Sequence, residues 1–535
     1  MLRPVRGGFV SPDDSPLRKI APDRIGESAS DPSVDPRLRS PDTPATSRAG
    51  EIPTSGAPAA NGASDSGYDS LNRKRKKPKY YPGQAKPRPP AGPGSAPRPP
   101  VTPAVSGRVR IAPPPSDTAN GTPLPPAMAG KVMGQPVRKR LPIDPDPFGA
   151  VGDYAGGFLL KGAVELSAGY DTNPGRLAVP QGSPFYVIAP EFLAVSNWER
   201  HAVVADLRGS FTGYGNSLTP NADGTALSAP LDLSRPNFLG HVDGRFDVSR
   251  DTHLTAQGRL LVSTDNPGSP NVQAGLLRYP NFASFGGTFG VDQGFNRLQI
   301  SAGATIDRTA YQWSQLTDGT SSSNDDRNFN QYGGIGRASY DLIPGLKPFV
   351  EVEGDRRVHD LPLDRNGYAR DSTGGYIKGG TSFEFSRLLV GDIAFGYAAR
   401  DYVDPRLSRL QGFLTTASLV WTATPLTTAK FIFDTQLAET TLAGSPGTLV
   451  RTYTFEVDHD FRRWLTGIGR FIYGTYNYQG DNRLDRTYSI SGDLIYKLNR
   501  TVWLKGTLRR DWLESSVIGA SSNSTVVMVG VRVQN

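Results

Sequence analysis

Strict alternation between apolar and polar residues, sustained over more than ten residues at a time, is the feature that most constrains this chain. Residues 158–170, 239–249 and 488–498 all show this period of two. The period is that of a β-strand with one apolar face. Strands of soluble proteins usually have about 5–6 residues, whereas a tilted strand needs about 9–11 residues to cross a membrane. The pattern therefore predicts membrane-spanning β-strands.

Two kinds of connector alternate along the chain. The tight ones centre near Glu199, Asp251, Asn296, Pro344, Leu388, Pro425, Arg463 and Asn499. The long polar ones cover residues 171–184, 215–236, 265–284, 314–328, 360–372, 403–410, 441–448, 480–485 and 516–522. Eight turns and nine loops predict 18 antiparallel strands over 157–535, and 16 strands stays open. Short turns on one side and long loops on the other are typical of a transmembrane β-barrel with periplasmic turns. A β-sandwich or a propeller has no reason to sort its loops in this way.

Two further patterns bear on this all-β prediction. Pro190 lies within the second predicted strand and removes a ladder donor, so we expect a bulge or a shorter strand there. Aromatic residues near strand ends predict two girdles at the membrane interfaces. Those near the loops are Tyr170, Tyr214, Trp313, Tyr332, Tyr376, Tyr402, Tyr453, Tyr478, Tyr488 and Trp512. Those near the turns are Trp198, Tyr340, Trp421, Trp464, Tyr496 and Trp503.

Residues 1–150 have a different composition from the remainder. They hold 30 of the 46 prolines, 5 of the 50 aromatic residues and a net charge of +10, although the whole chain is only +8. Such a segment buries too little apolar surface to fold, so we expect a disordered tail. The basic run at residues 73–79 resembles a nuclear-localisation or nucleic-acid patch, but only Tyr80 and Tyr81 follow it, too few for a stacking platform. We interpret it as a solvated charge run with no nucleic-acid partner, and contact with anionic envelope polymers or lipid head groups stays open as an alternative.

Composition excludes several classes of function. The chain has no cysteine, which excludes disulfides and thiolate metal sites. It has no apolar run of the roughly 20 residues that a transmembrane helix needs. No catalytic triad, nucleophile elbow or phosphate loop is present, so we expect neither an enzyme nor a cofactor or metal site. A barrel must be exported, yet residues 1–6 are not followed by a signal-peptide core, so we expect another start codon or a processed form.

If the apolar face meets lipid, the opposite face lines the interior of the barrel. A lipid-facing Lys or Arg at the membrane midplane would cost about 2–4 kcal/mol, so alternation assigns charged residues inward. By this assignment 15 acidic and 10 basic residues face the interior. Two interpretations stay open: a solvated wall of salt-bridged pairs, or a surface that selects ions. The principal candidates are Lys161, Glu165, Asp206, Arg208, Asp243, Arg245, Asp247, Arg259, Glu351, Glu353, Asp355, Glu456, Asp458, Asp493, Lys505 and Arg509.

Three segments of the sequence resemble a family of outer-membrane β-barrel porins of proteobacteria, some of which are encoded beside polysaccharide-export machinery. The segments are 169–174, where the first strand runs into its loop, the strand–turn–strand stretch 494–500, and the ending 530–534. The resemblance covers about 157–535. It implies a barrel of about 18 strands and a conduit for exported polysaccharide in some members, and it supplies no catalytic residues. Val527, Val529, Val531 and Val533 alternate as barrel-assembly signals do, but the final residue is Asn535 rather than an aromatic.

The sequence thus predicts a porin in the outer membrane of a Gram-negative bacterium, with a periplasmic tail. The leading hypothesis is a passive channel or conduit for polysaccharide export. A general diffusion or nutrient porin and a plugged structural or adhesive barrel are the alternatives. The expected partners are outer-membrane lipid, the barrel-assembly machinery and, for the export hypothesis, a periplasmic polysaccharide-export protein.

Overall fold

The computed structural model describes residues 148–535, except for residues 199, 222–224 and 387 and the side chain of residue 386. The predicted disorder of the tail and the basic run at 73–79 lie outside the described residues. Within them, no helix has the length and apolarity needed to cross a membrane.

Eighteen long strands, named β1 to β18 in chain order, make up the wall. They are Phe158–Asp171, Ser183–Ser196, Ala202–Tyr214, Arg235–Asp247, Thr252–Thr264, Asn281–Phe295, Leu298–Tyr311, Phe329–Tyr340, Leu346–His359, Ser372–Ser386, Leu389–Tyr402, Leu410–Thr424, Thr427–Ala438, Gly447–Arg462, Leu465–Gln479, Leu484–Lys497, Val502–Ser515 and Ser522–Gln534. Short strands also occur at Asp153–Ala155, Ser314–Gln315 and Ser321–Ser322, and a short 3₁₀ helix spans Asp325–Arg327.

The sheet is a closed antiparallel barrel. Each strand pairs with its neighbours in the chain, and β1 also pairs with β18, from Ala163 opposite Gln534 to Asp171 opposite Val526. The connectors alternate as predicted, from the two-residue turn 296–297 to the 20-residue loop 215–234. The prediction of 18 strands is confirmed, and the alternative of 16 is wrong. The turn predicted near Glu199 contains a residue outside the described ones.

Pro190 is accommodated without the bulge or shortened strand that we expected. β2 runs without a break from Ser183 to Ser196 and pairs with β1 at Pro190 itself. On the other side the ladder to β3 omits two positions and resumes in the same register, since Ile188 faces Phe211 and Glu191 faces Arg208. The missing N–H therefore costs ladder bonds on one side only, because the long flanking runs fix the register.

A short segment before β1 completes the seam between β1 and β18 at the turn end of the barrel. Residues Asp153–Ala155 pair with the first residues of β1, which extend beyond the end of β18. The side chain of Asn535 joins all three segments: its Oδ1 accepts from the Gly162 N–H at 2.7 Å, and its Nδ2 donates to Asp153 at 3.1 Å. The final asparagine thus supplies hydrogen bonds at the seam that a terminal aromatic ring could not make.

The outer face of the wall is apolar and exposed. On β18, for example, Val527, Val529, Val531 and Val533 are all exposed, whereas the alternate residues Val526 and Met528 are buried. A continuous exposed apolar band that runs around a closed barrel is the surface that lipid covers. The apolar face of the period-two pattern is therefore the outer one, as predicted.

The girdle prediction is correct for most of the named residues and wrong for five. Trp198, Tyr340, Trp421, Trp464 and Tyr496 are exposed at the turn end, as expected. The five exceptions are Tyr214, Tyr376, Tyr402, Tyr478 and Trp503, which point to the inner face. The prediction used nearness to a strand end, but the parity of a residue along its strand decides which face its side chain takes.

Candidate functional site: the inner face and the loop-covered mouth

The sixteen predicted interior residues all lie on the face opposite the apolar one. In each strand their side chains alternate with the lipid-facing residues, and all are buried or half-buried. Most of them pair with another charged or polar side chain of the same face. Asp206 binds Arg208 at 2.6 Å, Arg245 binds Asp247 at 2.8 Å and Lys505 approaches Glu165 at 3.6 Å. Arg509 binds Asp511 at 3.1 Å, Asp243 accepts from Gln257 at 2.6 Å and Asp493 accepts from the Thr507 hydroxyl.

Two of the ion pairs reach across an intervening strand over a glycine. Arg259 on β5 and Asp307 on β7 are both register partners of Gly286 on β6, and their side chains meet at 2.8 and 2.5 Å. Asp355 on β9 and Arg400 on β11 flank Gly374 in the same way, with contacts of 2.6 and 2.7 Å.

The glycines make these two pairs possible. A Cβ atom at Gly374 would lie 2.9 Å from the Arg400 Cζ atom. At Gly286 the added atom would lie 2.2 Å from the Asp307 Oδ1 atom. A residue without a side chain leaves room for the ion pair to cross, which explains glycine within strands that it would otherwise weaken.

Glu351 and Glu456 each bind basic residues from both neighbouring strands. Glu351, which is 1% exposed, contacts Arg337 at 3.1 Å and Lys378 at 2.8 Å, and it accepts from the Tyr376 hydroxyl at 2.7 Å. Glu353 is the register partner of the same tyrosine. Each carboxylate of this kind is desolvated, and only its partners keep it charged at low cost.

The second centre is Glu456, which contacts Lys430 at 2.6 Å and Arg470 at 2.5 Å. Lys430 also binds Asp458 at 3.1 Å. Together with the other pairs, these contacts favour the interpretation of the inner face as a wall of salt-bridged pairs. Lys161 is buried on the same face near the turn end.

The sequence assignment missed the ion pair at the seam. Arg532 on β18 donates to Glu191 on β2 at 2.8 Å, and both side chains are only 3% exposed. β1 lies between these strands and presents the small Ala163 opposite Glu191. Glu191 and Arg532 follow the same parity rule as the other candidates, so extending that rule to every charged strand residue would have found them.

Loop 265–280 crosses the loop end of the barrel. It joins β5 to β6, yet its Asn271 Oδ1 accepts from the Thr440 hydroxyl at 3.0 Å and from the N–H and hydroxyl of Thr441 at 3.0 and 3.3 Å. Loop 439–446 joins β13 to β14, eight strands from β5 and β6 in a wall of 18. The contact therefore spans nearly the full diameter of the barrel, and loop 265–280 narrows the mouth.

Neighbouring loops form a hydrogen-bonded layer with loop 265–280. Leu231 N–H donates to the Leu276 carbonyl at 3.1 Å, and Leu277 N–H donates to Gln315 at 2.8 Å, so loops 215–234, 265–280 and 312–328 are joined in that order. Their apolar residues bury one another. The cluster contains Leu177, Leu218, Leu227, Ala229, Leu233 and Tyr279. This side of the mouth is thus covered by a packed loop layer.

Ion pairs and hydrogen bonds of arginine side chains connect further loops at this end of the barrel. Asp265 binds Arg327 at 2.8 Å, and Arg365 binds Asp326 at 2.8 Å. Arg370 donates to Asp364 at 2.8 Å and to the Ser445 carbonyl at 2.8 Å. Loops 265–280, 312–328, 360–371 and 439–446 are therefore linked to one another by side chains.

The loop carboxylates are held in their charged form. Burial tends to raise the pKa of Glu439, but Arg357 and His359 hold this pKa well below its usual range. Burial also tends to raise the pKa of Asp326, but the hydrogen bonds and the charge of Arg365 lower it below its usual value. Hydrogen bonds from Arg406 lower the pKa of Asp404. These links are therefore intact at neutral pH.

Among the described residues, no group of three or more His, Asp or Glu side chains is arranged to hold a metal ion. The family model described as "Putative beta-barrel porin 2" matches residues 146–535. The chain belongs to this porin family. Its place in the outer membrane follows, and the resemblance predicted from the sequence is confirmed. A comparison with curated proteins gives no significant match.

Solved structures similar to this porin include outer-membrane proteins of two organisms. OccAB4 of Acinetobacter baumannii is 12% identical, with a TM-score of 0.36, over 70% of this chain and 98% of that chain. OccK9 (OpdG) of Pseudomonas aeruginosa is 13% identical, with a TM-score of 0.36, over 70% of this chain and 98% of that chain. OpdK of the same organism is 14% identical, with a TM-score of 0.35, over 70% of this chain and 99% of that chain.

Proposed function

We propose that this porin is a passive, non-enzymatic channel for small hydrated solutes, narrowed at its outer mouth by loop 265–280. The contact of Asn271 with Thr440 and Thr441 carries the proposal, since it places a loop across the opening of a barrel whose inner face is polar. Barrels of 16–18 strands generally enclose an aqueous channel. The paired charges of the inner face would form its wall.

The hypothesis of a polysaccharide conduit becomes the second candidate. A polymer would have to pass the loops, and the hydrogen bonds between loops 265–280 and 439–446 would have to break first. Such a conduit would need a partner that displaces the loops, as the predicted periplasmic export protein would. The packed loop layer equally favours a closed structural barrel, and conduction distinguishes that candidate from the other two.

The orientation follows from the connectors. Outer-membrane barrels keep short turns in the periplasm and long loops outside. Residues 148–155 lie at the turn end, where the Phe148 carbonyl accepts from Gln534 at 3.1 Å. We therefore infer that the tail lies in the periplasm, that the barrel-assembly machinery recognises β18, and that lipid covers the outer face.

Swelling of liposomes that contain the full-length protein tests this function. Liposomes should swell in isosmotic monosaccharide and much more slowly in a neutral oligosaccharide of several residues, because the narrowed mouth sorts solutes by size. Equal rates for both sugars would contradict the narrowed mouth. Absence of swelling in either sugar would favour the closed barrel, or a conduit that opens only with its partner.

A further inference from the structure

His359 lies where two loops meet the wall at the loop end of the barrel. It is the last residue of β9, and its side chain is only 3% exposed. Its Nδ1 atom lies 3.3 Å from the Asp371 Oδ1 atom, and its Nε2 atom lies 3.8 Å from the Glu439 Oε2 atom. Asp371 ends loop 360–371, and Glu439 begins loop 439–446. One imidazole ring therefore lies between the carboxylates of two different loops.

Only the charged form of this ring can present a hydrogen to both carboxylates. A neutral imidazole has an N–H on one nitrogen and a lone pair on the other, whereas the imidazolium has an N–H on each. If the neutral ring keeps its hydrogen on Nδ1, beside Asp371, the lone pair of Nε2 faces the Glu439 carboxylate and repels it. Loss of the proton from His359 therefore removes the attraction between the ring and Glu439.

The charges around His359 balance only when the ring is protonated. Arg357 lies two residues earlier on β9 and donates to the Glu439 Oε1 atom at 2.7 Å. The neighbouring Asp360 is bound to Arg308 at 2.5 Å. Arg357 and the imidazolium thus match the two carboxylates beside the ring, and deprotonation leaves one negative charge in excess. Such a charge is costly where the side chains of Arg357 and His359 are both nearly inaccessible to water.

Glu439 leads directly into the contact that narrows the mouth. The next two residues, Thr440 and Thr441, donate to Asn271 of loop 265–280. A displacement of Glu439 therefore reaches the point where loop 265–280 is held through the peptide bond between Glu439 and Thr440.

We propose that His359 is a pH-dependent clamp that holds loop 439–446 in place and so regulates the width of the outer mouth, an inference that rests on the proposed function. While the ring is charged, the carboxylates of Asp371 and Glu439 are both bound and the mouth is narrow. As the pH rises through the range in which histidine loses its proton, the contact with Glu439 is lost and loop 265–280 is released more often. This range lies above the pH of about 4 at which the carboxylates themselves lose their charge.

Single-channel recording of the full-length protein between about pH 5.5 and pH 9 tests this clamp. The fraction of time that the unaltered protein spends in a state of higher conductance should rise with pH by on the order of fivefold, because one charge-assisted contact of the loop is lost. His359→Gln carries no titratable ring, so its open fraction should be independent of pH in this range. A constant open fraction in the unaltered protein, or a pH response that persists in His359→Gln, would overturn the clamp.

His253→Gln is the matched control, because His253 also contacts a carboxylate, that of Asp247 at 2.7 Å, but is the second residue of β5 and lies at the turn end. This variant should keep the pH response of the unaltered protein. Loss of the response in His253→Gln would assign the titration to the turn end and overturn the clamp.

A second measurement separates the clamp from the channel. Nuclear magnetic resonance of the full-length protein with labelled histidines follows the His359 ring without any current, and the His359→Gln spectrum assigns its signal. Glu439→Gln should move the titration midpoint of this ring to lower pH, because it removes a carboxylate that favours the charged form. An unchanged midpoint would overturn the clamp even in a protein that conducts, whereas a protein that shows the shift but passes no current loses the channel alone.

Discussion

Removing the acceptor at Asn271 tests the loop across the mouth most sharply. Its Oδ1 accepts three hydrogen bonds from Thr440 and Thr441. Each is worth about 1 kcal/mol net, and the two hydroxyls can turn to water once released, so Asn271→Ala should weaken the tether by about 2 kcal/mol. That free energy corresponds to a roughly 30-fold change in the equilibrium between tethered and released loop.

Single-channel recording in a planar bilayer measures this equilibrium. Asn271→Ala should spend a larger fraction of time in a state of higher conductance than the unaltered protein. Asn221→Ala is the matched control, since among the described residues Asn221 bonds only within its own exposed loop, to Thr225 at 3.0 Å. The same open fraction in Asn271→Ala as in the unaltered protein would refute the claim that this contact narrows the channel.

Four further predictions follow from the same structure. The purified protein should give a β-type circular dichroism spectrum in detergent and a heat-dependent gel shift; a helical spectrum would contradict the fold. A tag at Ser322 should be reached from outside intact cells, and tags at Asp251 or Arg463 should not; the reverse would invert the topology. The pKa values of three loop carboxylates are lowered, those of Glu439, Asp326 and Asp404. Their contacts therefore stabilise the loops at neutral pH and are lost as the pH falls below about 4. The single-channel conductance should rise in acid, and a fall in conductance would contradict this assignment. The predicted inner face carries 15 acidic and 10 basic groups, so the reversal potential in a salt gradient should show mild cation preference, and anion preference would count against that wall.

The fold could be predicted from the sequence because its signals are local. Period two over a whole membrane crossing marks each strand, and the alternation of turns with loops gives the strand number. Tertiary context overrode the local expectation at Pro190, where long flanking ladders hold the register. The same is true of Trp503, which we had assigned to the girdle because it lies near a strand end, but whose side chain points to the inner face.

The site could be predicted only in part. Parity assigned the charged residues to the inner face, but partners on other strands depend on register, which no local pattern reveals. The pairs across Gly286 and Gly374 become visible only when three strands are aligned. The path of loop 265–280 across the mouth depends on contacts between residues 169 positions apart, and no local pattern in the sequence indicates them.

If the protein forms a water-filled channel across the outer membrane, the purified full-length protein should pass ion current in a planar bilayer. The unaltered protein should give discrete current steps, and larger steps should be more frequent in Asn271→Ala. An electrically silent bilayer for both proteins, when the heat-dependent gel shift shows the barrel to be folded, would contradict it.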